Sequence, residues 1–225
     1  MSATEPLFSL VVLVSGNGSN LQSILRAIEQ GQLNATIALV ISNRFDAKAL
    51  VHAKQAGITT FTLDHKAFVD RESFDRALAQ KIDTYAPNLV VLAGYMRLLS
   101  DGFVQHYLGK LVNIHPSLLP KYKGLNTHQR VIEAKDPWHG ATVHYVVPEL
   151  DAGPGIAQVK IPVLNTDTAE SLAKRLLEQE HQLYPYALKL LTDGRCKLVD
   201  GRIWIDGQSA KSPLILETTV GKSKP

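Results

Sequence analysis

A single cysteine, Cys196, stands in 225 residues. That excludes an intrachain disulfide and a cysteine-rich metal site, and it fits a reducing compartment. The N-terminal stretch MSATEPLF lacks the basic start and apolar core of a secretion signal. No apolar run is long enough to cross a bilayer. The formal charge is only +3 and carries no basic block, so nucleic acid is not implied, whereas a small anionic ligand is compatible. Internal repeats, low-complexity segments and a second domain are also missing. These absences point to a cytoplasmic protein with no membrane or nucleic-acid partner.

What is present is alternation. Leu7 to Val14 is a near-continuous apolar run, the pattern of a parallel strand covered on both faces. Ser15 to Asn20 (SGNGSN) follows, and Leu21, Ile24, Leu25 and Ile28 then keep helical spacing. A strand, a glycine-rich turn and a helix start favour a phosphate on the backbone N–H groups of Gly16, Asn17, Gly18, Ser19 and Asn20. The simpler alternative is a turn that only caps the helix. The turn is neither a GxGxxG fingerprint nor a P-loop with its lysine, so neither a dinucleotide nor a nucleoside triphosphate is indicated.

Further strands are expected at Ala35 to Ile41, Ile58 to Leu63, Asn88 to Ala93 and Leu111 to Ile114, with helices over Asp46 to Ala56 and Arg71 to Tyr85. This order predicts an α/β fold with a doubly wound, mostly parallel sheet in the N-terminal half. The second half changes character. Ala141 to Val147 and Ala157 to Val163 read as an antiparallel pair around a long loop, Pro148 to Gly155, so antiparallel strands extend the sheet. Asp167 to Leu191 reads as a long helix, opened by an Asp167–Glu170 capping box and kinked or split at Pro185. Lys197 to Asp206 reads as a hairpin around Asp200-Gly201. Residues 1–207 form the expected domain, and 208–225 a peripheral or partly disordered tail.

Ligands in such sheets bind at the carboxyl ends of strands. Asn113 and His115 sit there, two residues apart and so on one face, where an amide and an imidazole suit an oxyanion. Capping of a strand end explains the pair equally well. Asp151 is either a positioned carboxylate or the start of an Asx turn. His144, alone within a strand, reads as a satisfied core residue. Tyr95-Met96-Arg97-Leu98-Leu99 could wall a flat aromatic ligand, although ordinary packing is the simpler account. Glu180 falls on the apolar stripe of the long helix, with Leu176 and Tyr184, and so needs a partner, either an internal cation or a ligand. Leu119–Pro120, beside the Asn113–His115 stretch, is the candidate for a cis peptide.

Taken together, SGNGSNL at Ser15, LAGYMRLLS at Leu92, NIHPSLLP at Asn113, HGATVHYV at His139 and ELDAGP at Glu149 resemble the phosphoribosylglycinamide formyltransferases. That family of folate-dependent enzymes serves purine synthesis, and the resemblance runs from about Leu10 to Gly207. Lys123 departs from the usual proline, and Asn126 from the usual His or Asp. The resemblance implies formyl transfer from the co-substrate 10-formyltetrahydrofolate to the amine of glycinamide ribonucleotide. It implies that Asn113, His115 and Asp151 are catalytic, that Gly16 to Asn20 and Glu180 hold the ribonucleotide, and that Arg71 and Tyr95 to Leu99 meet the folate. A monomer or homodimer is expected. The alternative is another folate formyltransferase, or a formyltetrahydrofolate hydrolase, with the same trio. The extra domains of those enzymes are not expected in a chain of this length.

Overall fold

The structure is a computed structural model that describes residues 7–217. Chain contacts divide it into two compact units, Met1–Val112 and Asn113–Pro225. The first contains β1 (Phe8–Val14), α1 (Ser19–Glu29), β2 (Ala35–Ser42), α2 (Lys48–Gln55), β3 (Thr60–Thr62), α3 (Arg71–Asp83), β4 (Leu89–Leu92) and α4 (Asp101–His106). Its strands follow the order β4, β1, β2, β3, all parallel. Val12 pairs with Val40 on one side and Val91 on the other. Leu10 to Val14 are fully enclosed, as the continuous apolar run requires. Leu21 and Ile24 of α1 and Phe74, Leu78 and Ile82 of α3 supply the helical side of this core. β5 (Leu111–His115) straddles the unit boundary.

The second unit adds α5 (Thr127–Glu133), β6 (Trp138–Tyr145), β7 (Gly155–Pro162), α6 (Ala169–Thr192), β8 (Cys196–Val199), β9 (Arg202–Ile205), β10 (Gln208–Ser209) and β11 (Leu214–Leu216). β6 and β7 are antiparallel, and β11 lies parallel on β7. The fold is thus the expected α/β arrangement, a mostly parallel sheet extended by antiparallel strands. β8, β9 and β10 form a small separate sheet, with Asp200 and Gly201 at φ 50° and 72° in the expected hairpin turn. The Leu119–Pro120 peptide is cis, as expected.

Several local expectations need correction. α6 is capped by Thr168 and Ser171, not by Asp167 and Glu170. Asp167 instead accepts from Leu164 N–H at 2.8 Å and pairs with Arg175. α6 also continues through Pro185 without a break, because Leu183, Tyr184, Ala187 and Leu188 are fully buried around it and packing outweighs the lost N–H. Helices α4 and α5 have no counterpart in the sequence reading. From residue 208 on, the chain supplies β10 and β11, while 218–225 lie outside the described residues.

Candidate active site

β5 carries Asn113 and His115, two of the candidate catalytic residues. Asn113 and His115 share one face of it, and His115 is buried. His115 Nε2 lies 2.9 Å from the carbonyl oxygen of Tyr122, and Nδ1 lies 3.4 Å from Asp151 Oδ2. Both ring nitrogens therefore face oxygens that only accept. Asp151 Oδ2 also accepts Gly124 N–H at 2.8 Å. The carboxylate is almost wholly enclosed and its backbone is left-handed, φ 47°. Gly153, two residues on, is dictated by packing, since a Cβ there would meet the Tyr145 carbonyl oxygen at 1.8 Å.

The loop after β5 is pinned by a buried polar network. Thr142 Oγ1 donates to Ser117 O at 2.6 Å and accepts Leu119 N–H at 3.1 Å; Gln158 Nε2 donates to Leu119 O at 2.8 Å. Gly140 on β6 lets this loop approach, because a Cβ would strike Val159 O at 2.1 Å and Leu118 at 2.5 Å. The Tyr122 carbonyl and Gly124 N–H are thereby set against His115 and Asp151. The departures at Lys123 and Asn126 are accommodated locally. Lys123 Nζ pairs with Glu149 Oε1 at 2.8 Å, and Asn126 takes a left-handed conformation, φ 57°, before α5.

His144 is buried with both ring nitrogens partnered, in line with its reading as a satisfied core residue, and one of those partners is Asn113. Its Nε2 is 3.4 Å from Asn113 Nδ2 and 3.9 Å from Asp151 Oδ1. Its Nδ1 donates to Tyr145 O at 2.9 Å, so Nε2 is left as an acceptor for the Asn113 amide. Burial is the main cause that drives its pKa down to about 4, keeping the ring neutral near pH 7. No sequence signal marks it, since its partner Asn113 is 31 residues away. A second histidine pair, His128 Nδ1 and His139 Nε2 at 2.9 Å, joins α5 to β6. Glu180 is buried on the α6 stripe, as its spacing predicts.

The remaining predicted residues lie in the first unit. Among the described residues, the N–H groups of Gly16, Asn17, Gly18 and Ser19 donate no hydrogen bond within the protein. Gly18, at φ 77°, is the left-handed N-cap of α1, without a side-chain cap. Tyr95 is buried, as ordinary packing would have it, whereas Met96 and Leu98 are 72% and 61% exposed. Arg71 opens α3 and is partly exposed, 3.4 Å from Glu72. Among the described residues no group of three or more His, Cys, Asp or Glu could hold a metal ion, and no helix is long and apolar enough to cross a membrane.

An α/β sheet with an Asn–His–Asp cluster at a strand end defines a class, and comparison agrees: the formyl transferase family matches residues 8–188, and the chain belongs to that family. Within it, the chain is 50% identical over 200 residues to the phosphoribosylglycinamide formyltransferase of Escherichia coli K12, covering 89% of this chain and 94% of that one. The solved phosphoribosylglycinamide formyltransferase of Coxiella burnetii, in complex with CHES, superposes with a TM-score of 0.90 at 47% identity, over 95% of this chain and all of the other. A formyltetrahydrofolate deformylase from Pseudomonas syringae pv. tomato is more distant, with a TM-score of 0.82 at 26% identity, over 89% of this chain and 66% of that one.

Proposed function

We propose that the chain transfers the formyl group of 10-formyltetrahydrofolate to the amine of glycinamide ribonucleotide, as a one-domain enzyme of the cytoplasm. One observation carries the reading. His115, at the end of β5, has oxygen acceptors on both ring nitrogens and shares its strand face with Asn113. The nucleophile is the substrate amine, whose pKa of about 8 leaves a useful neutral fraction near pH 7. It attacks the formyl carbon, the carbonyl oxygen becomes an oxyanion, and collapse breaks the bond from carbon to the folate N10. The Asn113 Nδ2–H donates to the oxyanion, and the His115 Nε2–H joins it by exchanging the Tyr122 carbonyl for the oxyanion. Asp151 Oδ2 is committed to Gly124 and His115, which leaves Oδ1 to handle the amine proton on its way to N10, directly or through one water.

In this reading Gly16, Asn17, Gly18, Ser19 and Asn20 hold the phosphate of the ribonucleotide, and Glu180 meets its glycinamide end. Arg71 and Tyr95 to Leu99 hold the folate. No metal takes part, and the enzyme acts as a monomer or homodimer. Spectroscopic turnover of 10-formyltetrahydrofolate, with and without glycinamide ribonucleotide, tests the assignment. Turnover that requires the ribonucleotide is expected. Equal turnover without it would replace transfer by hydrolysis, the second reading, which the likeness to a formyltetrahydrofolate deformylase favours.

A further inference from the structure

We infer that Asp75 and Ser15 are positioning residues for the folate subsite, buried side chains that tie down the two ends of the segment from Met96 to Ser100. The inference rests on the reading of Tyr95 to Leu99 as folate-binding. At one end, Met96 N–H donates to Ser15 Oγ at 2.8 Å, and that hydroxyl donates onward to Asn43 Oδ1 at 2.6 Å. Ser15 N–H also donates to Gly94 O at 3.1 Å. At the other end, Ser100 N–H donates to Asp75 Oδ2 at 2.5 Å. Ser15, Asn43, Asp75 and Ser100 are all buried.

Between these ties the segment is open. Among the described residues, the N–H groups of Arg97, Leu98 and Leu99 donate no hydrogen bond, and Met96 and Leu98 project outward. A strip with fixed ends and unused backbone donors is a preformed edge for a flat heterocycle that takes backbone hydrogen bonds. α3 contributes a second hold, since the Arg97 guanidinium lies over the Phe74 ring at 5.1 Å, next in sequence to Asp75. A buried carboxylate is costly unless its position is used. Burial pushes the Asp75 pKa up, and Ser100, Arg97 and Arg71 pull it back. The Ser100 N–H bond is thus the position this carboxylate holds within the segment.

The test is steady-state kinetics with each substrate varied in turn, on Asp75→Ala, Asp75→Asn and Ser15→Ala, with Leu98→Ala as a direct probe of the segment. Asp75→Ala and Ser15→Ala are expected to raise KM for 10-formyltetrahydrofolate about tenfold, the weight of one buried hydrogen bond, and to change KM for the ribonucleotide less than about twofold. Asp75→Asn keeps an oxygen acceptor and should return folate KM to within about threefold of the parent. Thermal unfolding identifies any variant that fails to fold. If Asp75→Ala does, Ser15→Ala decides by the same split. An unchanged folate KM, or an equal rise for both substrates, in folded Ser15→Ala or Asp75→Ala overturns the positioning role. An unchanged folate KM in Leu98→Ala overturns instead the assignment of the segment to folate, and the positioning role with it.

Discussion

Asp151 sits at φ 47° with one carboxylate oxygen shared by Gly124 N–H and His115. Asp151→Asn keeps the size and leaves an oxygen for Gly124, so the loop retains its shape while the charge beside His115 is lost. The expected result, at saturating substrates, is a fall in kcat on the order of 10²–10³ with a near-parent melting temperature. A near-parent kcat would remove Asp151 from the mechanism. Asn113→Ala should cost a similar factor, and the double variant less than the product, since the oxyanion donor and the carboxylate serve one transition state. The glycine-rich turn calls for a different test. A Cβ at Gly18 would lie 2.5 Å from Ala49 Cβ, so substitution there disturbs the packing of the turn whatever it binds. Gly16 faces open space, and Gly16→Ala should fold normally yet weaken the ribonucleotide more than the folate, because backbone donors need close approach. Equal weakening of both in calorimetry would contradict a phosphate site. At this scale the sequence made Asn113, His115 and Asp151 visible only through their motifs. The contact of His144 with Asn113 stayed hidden because folding brings that partner from a distant strand.

Among the elements, the long apolar runs announced themselves. β1, β4 and the stripe of α6 are enclosed where their patterns require. α5 did not, because only Thr127 and Val131 of its seven residues are buried, which is too few to set a helical period. Beside the buried Val131, the His128–His139 hydrogen bond attaches α5 to β6. Burial is the main cause lowering both pKa values, that of His139 to about 4, with His115 and Arg175 adding to the effect on His139. The folded pKa of His139 lies below the unfolded value of about 6.5. Its neutral form is thus favoured by folding, and that stability is fully present above about pH 6.5 and lost as pH falls toward 4. His144, also lowered to about 4, acts in the same direction. Urea unfolding at pH 7.5 and pH 5 should show the loss, on the order of 2 kcal/mol for each of these two histidines. His139→Gln, which cannot titrate, should remove about half of the dependence and leave the share of His144. An unchanged slope in that variant would assign the acid sensitivity elsewhere.

For the molecule as a whole, the sheet was legible as a class, since alternating strands and helices followed by an antiparallel pair leave few arrangements. Its far edge was not. Residues from 208 on read as a peripheral tail because a three-residue strand has no periodicity to detect. Yet Leu214, Ile215 and Leu216 pair in register with Ala157, Gln158 and Val159 of β7. Pro213 just before them closes on Gly155, where a built Cβ would come within 2.5 Å of the proline ring. β11 therefore covers an edge that would otherwise expose the backbone groups of β7. Gln158 of that strand also holds the Leu119 carbonyl in the loop that serves His115, so the edge and the site share an element. Truncation after residue 209 should lower stability by about 1–3 kcal/mol, the weight of a few strand hydrogen bonds and partly buried leucines. Gly155→Ala should do so by the same route, through the displaced Pro213. In both variants kcat at 25 °C should stay close to the parent, because the anchors of the Ser117–Leu119 loop on Thr142 remain. Denaturant midpoints and kcat measured on the same preparations separate the two effects. A truncated protein of undiminished stability would show that β11 is dispensable to the sheet, and one of normal stability but low kcat would tie the edge directly to the chemistry.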